Sequence, residues 1–389
     1  MVLIGERVDC VKRCITCVLP DTKPDLRFSS TGQCNACENF IARGETDWSK
    51  RQDEFLEYVE KYSRGAWDCI VPVSGGKDST YQVITLMRLG LRPLAVTSTT
   101  CDLTSIGRRN LLNLRNLGVD HIEVSPDPKV RRHLNRIGLE EVGDISWPEH
   151  VGIFTIPVRI AIAMDVPLIV WGENSQNEYG GPATAAQSPH LTRRWLEEFG
   201  GLLGLRVTDI PDSLSGQIRE RDLALYTYPS DDELARAGVT GLFLGHFFPW
   251  DGLSNALIAQ ANGFETYGKS VEGSVVDYEN LDNYQTGIHD YFKFLKFGFG
   301  RATDIASLHV RRGRITRDQA MEMVVARDGK YPTSYLGKTL AEILAPLGLS
   351  VEEFDSICDR FTNRALFEKT PDGTLRRDRF GNLSLIESA

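Results

Sequence analysis

Residues 69–83 read CIVPVSGGKDSTYQV, and the fold turns on this stretch. Cys69-Ile70-Val71-Pro72-Val73 is short, apolar and β-branched, as a parallel strand covered on both faces should be. From Asp78 onward, Val83, Ile84, Leu86, Met87 and Leu89 form an apolar stripe at helical spacing, which Gly90 ends. A strand, a tight Gly75-Gly76 turn and a helix start together make an anion site. The free N–H groups of the first helical turn, and the positive end of the dipole, face whatever docks there.

Outward from this unit the pattern repeats. PLAVTSTT (93–100) reads as a second strand and RRNLLNLRNLG (108–118) as a second helix. HIEVSPD (121–127) is a third strand, and PLIVWGEN (167–174) a fourth that runs into Gly172-Glu173-Asn174. Such alternation predicts an α/β fold with a doubly wound, mostly parallel sheet, whose ligands sit at the carboxyl ends of the strands. The loop at 74–79, the strand end at Thr97–Thr100 and Gly172–Asn174 should then converge on one crevice. Residues 47–64 read as an amphipathic linker helix, and 180–240 as an insertion over the crevice. Within it lie a helix near Leu191–Phe199 and a Ser230/Glu233 capping box. GLFLGHFFPWDG (241–252) is a further strand and turn. Beyond about residue 300 charged helices take over, with capping boxes at Thr316/Gln319 and Ser350/Glu353 and a Pro-Asp-Gly turn at 371–373. The division expected is a ribbon over 1–45, the α/β domain over 46–300 and a mainly helical region over 301–389.

Composition narrows the class. A chain of 389 residues with 41% hydrophobic and 25% charged residues is ordinary for a globular protein. No apolar run approaches the roughly 18 residues of a membrane span, and the opening MVLIGERVDC lacks a signal-like apolar region, so a cytoplasmic protein is expected. A net charge of −9 argues against a protein whose main task is to hold nucleic acid.

Five of the eight cysteines fall within the first 37 residues. Cys14-x-x-Cys17 and Cys34-x-x-Cys37 stand sixteen residues apart, a spacing that suits a four-cysteine zinc ribbon in a reducing compartment. Four thiolates close the tetrahedron and leave no place for water, which makes the metal structural. The alternative is a set of redox or unpaired cysteines. Cys10 is a spare, while Cys69, Cys101 and Cys358 read as buried packing residues.

Two phosphate loops are excluded by spacing. A Walker loop needs a glycine six residues before the lysine and Ser or Thr after it, where this chain has Val71 and Asp78. The dinucleotide fingerprint lacks its third glycine. Ser74-Gly75-Gly76-Lys77-Asp78-Ser79 instead resembles the PP-loop of ATP pyrophosphatases, which cleave ATP between the α and β phosphates. In that resemblance Ser74, Gly75, Gly76, Ser79 and the loop amides cradle the pyrophosphate, Lys77 balances its charge and Asp78 carries Mg²⁺. Thr97 and Gly172 join them as ATP-binding residues.

A cysteine ribbon followed by this loop is shared by tRNA thiolation enzymes and by N-acetyl sugar amidotransferases. The chain resembles the second group over most of its length. The stretches that carry the likeness are RCITCVLPDTKP (13–24), GQCNAC (32–37), SGGKDS, GENSQNEYGG (172–181), PWDG (249–252) and FKFLKFGFGRATDIASLHVRRGRITRDQA (292–320). Thiolation enzymes need further cysteines in the catalytic domain, whereas Cys101 stands alone between residues 70 and 357. A non-catalytic nucleotide-binding scaffold is a third reading, against which the intact Ser74, Lys77, Asp78 and Ser79 argue.

The resemblance implies conversion of an acetamido group on a nucleotide-activated sugar to an acetamidino group, in surface-polysaccharide or nonulosonic-acid synthesis. Lys77, Asp78, Glu173 and Glu178 would be catalytic, the two glutamates holding a second Mg²⁺ or orienting ammonia, unless they are solvated surface carboxylates. Asn174, Tyr179, Lys293 and Arg301 would bind substrate. Lys293, Lys296, Arg301, Arg311 and Arg312 flank a run of aromatic residues from Tyr291 to Phe299, a mixture suited to a sugar diphosphate or carboxylate. An amphipathic helix with a solvated basic side is the plainer reading of most of these. His150, His246 and His289 are further acid–base candidates. No cysteine lies in a G-x-C-x-G elbow and position 2 is Val, and the resemblance implies a separate glutaminase subunit that supplies ammonia.

Overall fold

The computed structural model describes residues 10–205, 207 and 218–386. The opening segment through Asp9 and the middle of the 180–240 insertion lie outside the described residues. Two short helices precede the sheet, α1 (Asn35–Arg43) and α2 (Trp48–Tyr62), the second capped by Asp47, whose side chain accepts from Lys50 N–H. The sheet then builds as β1 (Cys69–Pro72), α3 (Lys77–Arg88), β2 (Pro93–Ser98), α4 (Ser105–Asn116), β3 (Asp120–Val124), α5 (Pro128–Ile137), α6 (Trp147–Met164) and β4 (Leu168–Trp171). It is completed by β5 (His190–Leu191), α7 (Arg193–Phe199) and β6 (Thr240–Phe243).

The strand order is β3-β2-β1-β4-β6-β5, parallel throughout except that β5 runs antiparallel to β6. From β1 the chain moves outward to β2 and β3, then crosses back to lay β4 on the other flank of β1. The carboxyl ends of β1 and β4 therefore border a topological switch point, where open α/β sheets bind ligands. Of the three stretches expected to converge, 74–79 and 172–174 follow these two strands, and 97–100 closes the neighbouring β2. Central strands with no polar face, such as Leu168–Trp171, are buried along their whole length, as coverage by helices on both sides requires.

Past the sheet come α8 (Gly252–Gln260), α9 (Thr286–Phe297), α10 (Arg301–Arg311), α11 (Arg317–Arg327) and α12 (Val351–Phe361). The capping boxes expected at Ser230, Thr316 and Ser350 are all formed, and a further one at Thr339/Glu342 starts a short helix. The closing stretch is not helical. It folds back through bridges that pair Phe367 with Leu385 and Arg377 with Leu383. One apolar core joins this region to the sheet layer, with Ile288, Phe292, Leu344 and Phe354 packed beside Leu139 and Ile145. Among the described residues no helix is long and apolar enough to cross a membrane.

Candidate active site

The turn after β1 works because its first glycine is a glycine. Gly75 sits at φ +80°, and a Cβ there would lie 2.9 Å from Leu111 Cγ and 3.0 Å from the Leu111 backbone nitrogen. That close approach to α4 fixes the loop against the sheet. Gly76 is the N-cap of α3 and has no side chain to take up first-turn N–H groups. Ser79 and Thr80 donate their hydroxyls back to the Gly76 carbonyl, at 3.1 and 3.0 Å, and Ser74 Oγ accepts from Gly76 N–H at 3.3 Å. The loop is tied by its own hydroxyls, while the start of α3 has no side-chain cap.

Lys77 is 5% exposed, and its Nζ lies 2.6 Å from both Asp78 Oδ2 and Glu279 Oε1. Burial works against its charge, but the two carboxylates more than offset that and hold its pKa well above the usual lysine range. Asp78 Oδ1 accepts from Asn255 Nδ2 at 2.8 Å. Across the switch point stands Glu173, whose carboxyl is pushed up to about 8 by burial and by the nearby charges of Asp78 and Glu178. Carboxylates outnumber the one ammonium, so a proton on Glu173 or a cation must balance them. A hard divalent cation suits that oxygen-rich set.

Glu178 is buried against three arginines. Its carboxylate pairs with Arg43 of α1 and lies 3.3 Å from Arg312 Nη2, and its carbonyl accepts from Arg311 Nη2 at 2.8 Å. The same Arg312 donates to the Trp250 carbonyl at 2.9 Å and its Nε lies 3.0 Å from Asp251. The PWDG turn is thereby locked beside the loop. The Trp250 ring packs edge-on against Tyr81, and a Cβ on Gly252 would lie 3.3 Å from Lys77 Cε. Asp251 caps α8, the helix that delivers Asn255 to Asp78.

Tyr179 and Arg301 extend the site toward the C-terminal helices. Burial, then Glu173, Asp304 and Glu279, keep the Tyr179 hydroxyl well above the usual phenol range, so it remains a neutral donor. Arg301 Nη2 is 3.0 Å from Asp290 Oδ1, and Lys293 pairs with Asp304 while its ammonium stands 4.5 Å over the Phe299 ring. Arg301 and Asp290 also line a cavity of about 330 Å³ walled by Tyr291, Tyr331 and Tyr335.

Other sequence-predicted residues have local duties. Thr97 is 2% exposed and donates Oγ1–H to the Val73 carbonyl at 2.8 Å, fastening β2 to the end of β1. Asn174 caps the short helix Ser175–Glu178 and donates to the Ala185 carbonyl at 2.7 Å. Gly172 leaves room for Trp250, 3.3 Å from where a Cβ would stand. His246 faces Arg51 of α2 at 2.6 Å, whereas His150 and His289 lie on either side of Asp144. Arg312, expected among the basic residues near the aromatic run, joins the site, whereas Glu279, Asn255, Arg43 and Asp251 were not singled out from the sequence. Only the PWDG turn carried a signal for any of them.

The four cysteines Cys14, Cys17, Cys34 and Cys37 are buried together, with Sγ–Sγ separations of 3.9 Å (14–37), 3.7 Å (17–34) and 3.6 Å (34–37). Zinc–sulfur bonds of about 2.3 Å require tetrahedral edges of about 3.8 Å, so the cluster fits zinc. Hydrogen bonds from Cys17, Cys34 and Cys37 hold the Cys14 thiol low, and contacts with Cys14, Cys17 and Cys34 drive Cys37 up. Four thiolates coexist only around a cation. Arg311 Nη1 lies 3.7 Å from Cys17 Sγ, and Arg317 Nε donates to the carbonyls of Cys14 and Cys17. Cys69 and Cys358 are buried as expected, whereas Cys101 is partly exposed.

No curated protein matches the chain. Residues 264–378, which carry Glu279, Lys293, Arg301, Arg311 and Arg312, match the family model described as "LPS biosynthesis protein WbpG-like, C-terminal domain", so this part of the chain is similar to a domain of lipopolysaccharide biosynthesis proteins.

Proposed function

We propose that the protein is an ATP-dependent amidotransferase that converts the acetamido group of a nucleotide-activated sugar to an acetamidino group in lipopolysaccharide biosynthesis. The observation that carries the reading is the meeting of Lys77 and Asp78, at the start of α3, with Glu279 from the segment similar to a lipopolysaccharide biosynthesis domain. In this reading residues 1–45 are a zinc ribbon, 46–300 bind and cleave ATP, and 301–389 complete the acceptor side.

An amide carbonyl is a poor electrophile and its oxygen a poor leaving group. Attack of that oxygen on the α-phosphate of ATP forms a P–O bond, releases pyrophosphate and leaves an adenylylated imidate. Ammonia then adds to the carbon, the C–O bond breaks, and AMP departs with the former amide oxygen. The protein's share is placement and charge. Lys77, Ser74, Ser79 and the first-turn amides of α3 receive the pyrophosphate. Magnesium on Asp78, with Glu173 alongside, supplies further neutralisation when bound. Tyr179 and Arg301 hold the acceptor, and Glu173 or Glu178 orients ammonia. The nitrogen comes from a separate glutaminase, and the setting is cytoplasmic.

The test is incubation with ATP, ammonium at alkaline pH and UDP- or CMP-linked acetamido sugars. AMP, pyrophosphate and a sugar in which an imino nitrogen replaces oxygen are expected. Lys77→Ala and Asp78→Asn should each cut turnover by roughly 10²-fold with the fold intact. Release of ADP and phosphate, or full activity in either variant, would overturn the reading.

A further inference from the structure

We propose that Asp144, His150 and His289 form a second metal site, separate from the cysteine cluster, for a divalent first-row transition ion such as zinc. The three side chains come from three places in the chain. Asp144 lies in the turn between a short π-helical segment (Gly138–Val142) and α6, His150 in the first turns of α6 and His289 in the first turn of α9. One donor atom from each falls within 4.8 Å of the others.

Their internal contacts account for His289 but not for His150. His289 Nδ1 lies 2.7 Å from Asp144 Oδ1, an oxygen that also accepts from the Ser146 N–H at 2.9 Å. His150 Nδ1 lies 3.3 Å from Asp144 Oδ2, buried and without a well-aligned hydrogen-bond partner. A buried imidazole nitrogen within reach of a carboxylate oxygen, but not aligned with it, is what results when both aim at a common third atom. The two rings meet nearly edge to face, at 78° with centroids 5.3 Å apart. Two further carboxylates near the histidines are already engaged, Glu149 with Arg131 at 3.0 Å and Asn135 at 2.7 Å, and Asp290 with Arg301 at 3.0 Å.

Two imidazoles and one carboxylate suit zinc, iron or manganese and are a poor match for magnesium or calcium, which take oxygen donors. Three protein ligands leave the fourth tetrahedral position to water or an incoming group. The ion would pin α9, within the segment 264–378, to the turn that starts α6, the helix packed over β1 and β2. It would act as a clasp between the C-terminal helices and the sheet layer.

The test is independent of any sugar or ATP chemistry. Full-length protein stripped with chelator and reloaded with zinc should bind two ions per chain, and His150→Ala and His289→Ala should each bind one. Titration of stripped wild-type protein with Co²⁺ should give two spectrally distinct steps, one with thiolate charge-transfer bands and one without them. Because the Co²⁺ titration uses wild-type protein, it stands even if a variant misfolds. A single zinc per chain with only the thiolate-type step, or two ions retained in both histidine variants, would overturn the proposal.

Discussion

Lys77 Nζ and Glu279 Oε1 stand 2.6 Å apart at the floor of the crevice, with 5% and 15% of their side chains exposed. A carboxylate thus occupies the approach that a phosphate oxygen would take to this ammonium. In the proposed reading Glu279 and ATP would compete for Lys77. Glu279→Gln removes the competing charge and the repulsion it exerts on the phosphates, and is expected to tighten ATP binding by about tenfold, or about 1.4 kcal/mol. Calorimetric titration with ATP checks this. Weaker binding would make Glu279 a residue the nucleotide needs.

Gly75→Ala tests the loop from the folding side. The new methyl meets Leu111 side chain and backbone at 2.9 and 3.0 Å, in a left-handed backbone that L residues resist. Strain and overpacking together should cost about 2–4 kcal/mol, read as a lower denaturant midpoint with an unchanged slope. A midpoint equal to wild type would mean that α4 gives way freely.

Cys34→Ser should abolish zinc binding at the cysteine cluster and expose the ribbon to protease. Arg311 Nη1 contacts Cys17 Sγ while its Nη2 is held to the Glu178 carbonyl; once the cluster is empty Cys17 is no longer fixed by the ion, so turnover should fall even though no ribbon cysteine touches the Lys77 loop. Metal analysis, limited proteolysis and turnover measured on one preparation separate these effects. Zinc loss with turnover untouched would show that Arg311 transmits nothing.

His246 contributes to the acid limb of stability. Burial, then the charge of Arg51, lower its pKa from 6.5 to about 4. The unfolded chain takes up a proton below about pH 6.5 that the folded protein refuses. The contribution is therefore complete above that pH and is lost as pH falls toward 4. His246→Gln should flatten the decline in stability across this window, measured by denaturant unfolding at stepped pH. An unchanged decline would assign it to other groups.

The sheet and the loop were legible because their signals are local. A β-branched strand, two glycines and a helical stripe lie within twenty residues, and each element's period names its type. The cysteine spacing worked in the same way. Glu279 gave no such sign, because it sits in an irregular acidic stretch and meets Lys77 only after some two hundred residues of chain have folded between them. Thr97 and Asn174 mark the opposite limit. Their positions at strand ends near the crevice were read correctly, yet the backbone consumes their polar atoms, which only coordinates reveal. The antiparallel β5 has two residues, too few for any period.

The two margins of the sheet bear on how copies of the chain can associate. β5 offers a two-residue border. β3, at the far margin, carries Asp120 and Glu123, engaged by Trp67 at 2.8 Å and Arg108 at 2.6 Å. A neighbour adding a strand there would have to strip those charged partners for few new backbone bonds. Strand addition at these two borders is therefore disfavoured, which makes a continuous intermolecular sheet, the usual seed of fibrous aggregation, a costly route for this sheet among the described residues.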